Sequence, residues 1–216
     1  MGRAAIEELA FKFTGGHLCL DFANTLRHRL SDRPAELLAT YADLVSWGRA
    51  AGVLEAGEGG SLLREAGHRP REAQAILERA IGLREVIHRI FSATAGGHGP
   101  PREDLTALNA ALAEPMGALR LVPEGARFGW GSVGDAPVLE RPLWFVVRSA
   151  AELMTSDELE AVRKCGASEC AWLFMDQSKN RSRRWCDMRT CGNRAKARRH
   201  YRRRRAGRRG RAGASR

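Results

Sequence analysis

The sequence predicts a mainly α fold of the α+β class. A multihelical N-terminal domain carries a small β-hairpin and precedes a compact C-terminal module built around cysteines. Three observations support this. Apolar residues keep helical spacing from about Pro70 to Thr94. At 117–135 the pattern changes, with Phe128 and Trp130 alternating with glycines. Four of the five cysteines fall late in the chain, as Cys165-x4-Cys170 and Cys186-x4-Cys191.

Each element follows in order. Thr14-Gly15-Gly16 is a break, after which an apolar stretch carries Asp21 and Asn24. Leu18, Phe22 and Leu26 fit a helical face there, and Leu18, Leu20 and Phe22 fit a strand equally well. Residues 34–51 predict a helix with Pro34 at its first position and a stripe of Leu37, Leu38, Tyr41, Leu44, Val45 and Trp47. Gly52 and then Gly57-Glu58-Gly59-Gly60 interrupt it. The long helix from Pro70 carries Ala73, Ile76, Leu77, Ala80, Leu83, Ile87, Ile90 and Phe91, and a glycine-proline run from Gly96 to Pro101 ends it. A shorter helix spans about Arg102–Ala113. The hairpin turns at Pro123-Glu124-Gly125, and 138–154 returns to helix with Pro142 near its start. Thr155-Ser156-Asp157-Glu158 has a capping-box pattern and predicts one more short helix into Arg163. The chain divides into a domain over 1–160, a module over 161–205 and a tail over 206–216 whose Gly/Arg/Ala/Ser composition predicts disorder.

Charge follows this division. The chain has 216 residues and a net charge of +11. Residues 163–216 hold 19 Lys/Arg against 3 Asp/Glu, a net of +16, and residues 1–162 hold 17 against 22, a net of −5. No stretch approaches the roughly 20 apolar residues of a membrane span, so no membrane partner is expected. The N-terminus lacks a basic-then-apolar leader pattern, which places the expected location in the cytoplasm. In a reducing cytosol, paired cysteines favour metal over disulfide. Cys19, between two leucines, reads as buried packing.

The cysteine module reads as a knuckle, a hairpin and a helix whose first turn carries the last ligand. That is a treble-clef or zinc-ribbon plan. Trp172-Leu173-Phe174 is one strand of the hairpin, and Arg183-Arg184-Trp185 leads back to Cys186. A segment of about 40 residues buries too little apolar surface to offset its chain entropy. One zinc ion supplies the difference, with about 10 kcal/mol of binding tied to folding. Four thiolates, Cys165, Cys170, Cys186 and Cys191, leave no open coordination position, so the zinc is structural. The His-x-Glu and Pro-Cys-x-x-Cys pattern of the deaminases is absent.

After Cys191 the sequence predicts a helix. Asn193, Ala197 and Tyr201 form its narrow docking seam, with His200 beside it, and Arg194, Lys196, Arg198, Arg199 and Arg202 fill most of the remaining arc. A one-signed face of this kind suits phosphate contacts or arginine reading of guanine, with Arg183 and Arg184 adding phosphate contacts. The partner this implies is nucleic acid: DNA, with RNA or non-specific nucleic-acid binding as the alternative. The N-terminal domain is the candidate sensor. Asp21, Asn24 and Trp47 either line a small-molecule effector pocket or serve as caps and core. No Ser/His/Asp set, phosphate loop or paired carboxylate stands out, so an enzyme is not expected. A homodimer would match a two-fold operator, although no heptads support it.

Two runs resemble known families. Cys165 to Asp176, Arg183 to Met188 and Cys191-Gly192-Asn193-Arg194 look like the CGNR zinc finger. Gly16 to Thr25 and Asp43-Leu44-x-x-Trp47 resemble the ABATE domain that precedes such fingers. The resemblance implies stress-induced bacterial transcription regulators, the four cysteines as zinc ligands, and DNA as partner.

Overall fold

The computed structural model describes residues 11–132 and 138–201. Arg202 and the tail expected to be disordered lie outside the described residues. The stretch that fits helix and strand equally well is a helix, α1 (Leu18–Ala23). Cys19, Leu20, Phe22 and Ala23 are all fully buried. A helix buried on nearly every side sits at the centre of a fold, which is why neither periodicity stands out. The chain then extends through β1 (Leu26–Arg27), which pairs antiparallel with β2 (Ala35–Glu36).

The helix expected from Pro34 therefore begins later, as α2 (Tyr41–Ala50). Thr40 sets its start. The Thr40 hydroxyl accepts from Asp43 N–H at 3.2 Å, and Thr40 N–H donates to the Asp43 carboxylate at 2.8 Å. This reciprocal cap outweighs the helix preference of the residues before it. Of the glycines expected to interrupt the chain, Gly52 does so, with φ of 72° ahead of α3 (Ala56–His68), whereas Gly57, Gly59 and Gly60 lie inside α3. Gly59 allows α3 to approach α2, since a Cβ there would lie 2.7 Å from Arg49 Cδ.

The long helix is α4 (Pro70–Ala95), with proline at its first position. The next, α5 (Arg102–Ala118), runs five residues beyond expectation and contains Pro115. A ribbon follows, β3 (Leu119–Glu124) against β4 (Arg127–Ser132). Then comes α6 (Arg141–Met154). The helix expected into Arg163 is a 3₁₀ turn, Asp157–Ala161, that passes into β5 (Val162–Lys164). Its strand partner is β6 (Leu173–Met175).

The main core joins α1, α2, α4 and α6 through Phe22, Leu44, Trp47, Ile87, Phe91, Val146 and Leu153. A second cluster gathers Trp172, Phe174 and the four paired cysteines. The two meet across β6. Leu173 and Met175 belong to the main core, and Phe174 to the cysteine cluster. Successive strand residues point to opposite faces, so one strand serves both. Among the described residues, no helix is long and apolar enough to cross a membrane.

Candidate metal centre and nucleic-acid interface

The hairpin β5–β6 carries the first cysteine pair in its loop. Cys165 N–H donates to Trp172 C=O at 2.8 Å, and Cys170 N–H to Ala167 C=O at 3.1 Å, which closes the knuckle. The return segment is not a strand. Instead, Gly166 N–H donates to the Arg184 carbonyl at 2.9 Å and brings Cys186 beneath the knuckle. Met188–Gly192 forms a π-helical turn that presents Cys191, and the chain continues as α7, 193–201. The Asp187 side chain caps this turn by accepting from Arg189 N–H at 2.7 Å.

The four sulfurs lie within 4.8 Å of one another. Cys170 Sγ and Cys191 Sγ are each 3.7 Å from Cys186 Sγ. A tetrahedron with Zn–S bonds of about 2.3 Å has edges of about 3.8 Å. The cluster thus has the dimensions of a closed four-thiolate zinc site and no room for a substrate ligand. The crowded thiols also share hydrogen bonds. Hydrogen bonds from Cys170, Cys186 and Cys191 hold the Cys165 thiol well below its ordinary value. The reciprocal contacts push Cys170 and Cys186 up. A dication removes that conflict by replacing the shared protons.

Arg183 and Arg184, the expected phosphate contacts, are both exposed and lie beside this centre. Arg183 donates to the carbonyls of Trp185, at 2.9 Å, and Cys186, and its guanidinium lies 4.6 Å from the Phe174 ring centroid. Arg184 lies over the Trp185 ring at 5.6 Å. Asp176 anchors the intervening turn by accepting from Arg183 N–H at 2.8 Å and from Ser178. Burial opposes its ionisation, but these hydrogen bonds prevail and hold its carboxyl below the usual range.

On α7 the docking seam differs from expectation. Asn193, Ala197 and Tyr201 face solvent, with Tyr201 66% exposed. The docked side is Cys191, Gly192 and Ala195, together with Arg194 and Arg198, which pair with Glu169 of the knuckle. Arg198 also donates to the Ser168 hydroxyl. Hydrogen bonding from Arg198 holds the Glu169 carboxylate below its ordinary value. The metal fixes Cys191, and the ion pairs on the same side set the rotation of the helix. Asn193, Lys196, Arg199 and His200 are left exposed. Asn193 and His200 lay on or beside the expected seam, so sequence reasoning missed them as outward-facing groups.

Asp21, Asn24 and Trp47 are buried, each with an internal role. Asp21 accepts from Gly15 N–H at 2.7 Å, and burial pushes its carboxyl up to about 6. Trp47 packs edge-on against Phe22, with centroids 4.9 Å apart. The Asn24 amide donates to Leu173 C=O at 2.8 Å and accepts from Leu173 N–H at 2.9 Å. The structure therefore does not bring the three together around a ligand. It uses Asn24 as a clamp on the strand shared with the metal module.

Comparison with known families agrees with this geometry. The ABATE model, described as "Putative stress-induced transcription regulator", matches residues 16–157. The chain belongs to the ABATE family. The CGNR zinc finger model matches residues 161–204, which contain all four clustered cysteines. Together they support one structural zinc ion and a regulator of transcription. No curated protein matches the chain.

Proposed function

We propose that this ABATE-family protein is a non-enzymatic, DNA-binding transcription regulator that lays α7 against the duplex. The observation that carries this reading is the side of α7 opposite the metal. It presents Asn193, Lys196, Arg199 and His200, with no acidic residue on the helix. An unopposed basic face destabilises a helix until anions cover it. Lys196 is suited to a guanine edge in the major groove and Arg199 to phosphate or guanine, while the Asn193 amide donates to Arg189 C=O at 3.1 Å. Arg194 and Arg198 act second, by orienting the helix. The Asn24 clamp offers a route by which an effector of the first domain would reach α7.

The test is binding of the zinc-loaded protein to its own upstream duplex, an unrelated duplex and a structured RNA. We expect at least a hundredfold preference for the upstream duplex, about 2.7 kcal/mol. Lys196→Ala should weaken binding and, where Lys196 meets a phosphate, lower the slope of log affinity against log salt by about one. Equal binding to all three nucleic acids would replace this reading with a general nucleic-acid binder.

A further inference from the structure

A cleft of about 220 Å³ separates the first domain from the metal module. Lys12, Arg27 and His28 line it from the first domain; the module contributes Asp187, Thr190 and Arg194 together with three of the zinc ligands, Cys170, Cys186 and Cys191. We propose that it receives a backbone phosphate of the duplex bound by α7, making the first domain part of the DNA interface. The inference rests on the DNA-binding reading and extends it to a surface that reading does not use.

Four observations support it. Residues 1–162 carry a net charge of −5, yet the side chains this domain turns towards the module here are basic. The loop that carries two of them is fixed rather than incidental. Trp172 Nε1–H donates to Leu26 C=O at 2.9 Å, and Leu30 N–H to Glu169 C=O at 3.2 Å, so both ends are tied to the module. His28 between them has φ of 50°, a left-handed conformation uncommon outside glycine, though histidine adopts it more readily than most residues. Third, the module side adds Thr190 and Arg194, so donors face the opening from both sides, against one carboxylate, Asp187. Fourth, Arg194 lines the cleft and also begins α7, so a strand following that helix passes the opening. Lysine, arginine, imidazole N–H and a threonine hydroxyl are all phosphate donors.

A purely structural role makes a different prediction. A zinc ion bound by four thiolates carries a net charge of −2, and nearby cations offset it. Loss of such a cation would lower zinc retention, not the salt dependence of DNA binding. The experiment uses full-length, zinc-loaded protein and its own upstream duplex. Lys12→Gln and His28→Gln are compared with Arg71→Gln, an exposed position near the start of α4. Affinity is measured across a salt series, alongside zinc content and Tm. We expect Lys12→Gln to weaken binding severalfold and lower the salt slope by about one. His28→Gln should weaken binding, and Arg71→Gln should change nothing, with zinc content and Tm preserved throughout. Wild-type affinity and slope in Lys12→Gln and His28→Gln, while Lys196→Ala still loses affinity, would overturn the cleft and spare the helix. A fall in zinc content without a change of slope would also overturn it, in favour of charge balance. Failure of the wild-type protein to bind any duplex removes both.

Discussion

Asn24 replaces a strand edge with one side chain. Its amide occupies both hydrogen-bonding groups of Leu173, 149 positions away in sequence. Asn24→Leu would leave a buried N–H and a buried C=O unpaired, at about 1–3 kcal/mol each. Its Tm should fall by several degrees, and Asn24→Asp, which keeps only the acceptor, should fall between the two. Two titratable groups, buried Asp21 and half-buried His88, give a further test. His88 donates Nε2–H to Ala171 C=O at 2.9 Å, and burial lowers its pKa to about 4, helped by Arg29 and Lys164 and opposed by that hydrogen bond and by Glu85. A depressed histidine favours the fold above about pH 6.5 and loses that contribution as pH falls towards 4. Burial raises Asp21 to about 6, so its contribution is present below pH 3.8 and lost as pH rises through 6. The two slopes oppose each other in the wild-type protein. Stability measured from pH 4 to 7 should separate them. Relative to wild type, His88→Gln gains on acidification and Asp21→Asn gains on alkalinisation, neither by more than about 1.4 kcal/mol per pH unit. Parallel curves would remove both assignments.

At the scale of elements, the local signals were legible and the long-range ones were not. The spacing of α4 from Ala73 to Phe91 reads directly as a helix, and so does the pairing of cysteines five positions apart as a metal knuckle. Thr40 and Asp43 spell a capping pair that sequence reasoning passed over in favour of Pro34. Nothing local reveals that Gly59 faces Arg49, or that β6 pairs with β5 rather than with the segment before Cys186. The α7 seam was misplaced because its rotation depends on Glu169, a residue of the knuckle. β6 also yields the sharpest element-level prediction. Leu173 and Phe174 are both fully buried but belong to different cores. Leu173→Ala should cost about 2–5 kcal/mol of global stability while zinc remains bound. Phe174→Ala should raise the rate of zinc release to a chelator more than Leu173→Ala does. Equal effects of the two variants on both readouts would contradict a strand divided between two cores.

For the whole molecule, the shared strand changes what zinc stabilises. A free-standing finger of about 40 residues depends on its metal to fold. Here Val162, Leu173 and Met175 lie in the main core, and Met175 N–H donates to Gly15 C=O at 2.7 Å. The first domain thus holds β5 and β6 by packing that does not involve the metal. Zinc holds the remainder: the knuckle, the segment before Cys186 and the start of α7. Chelation should therefore unfold the module only in part. Hydrogen exchange on the full chain after zinc removal should retain protection at Leu173 and Met175 and lose it at Gly166, Cys170 and Gly192, whose N–H bonds lie within the metal-held part. The same reasoning predicts that residues 161–204 alone, loaded with zinc, expose Val162, Leu173 and Met175 and associate or remain loosely packed. A well-dispersed, monomeric spectrum from that fragment would show that the metal suffices and that the joint strand is only a docking contact. Protection lost uniformly on chelation would show the reverse, a single cooperative unit that the metal holds throughout.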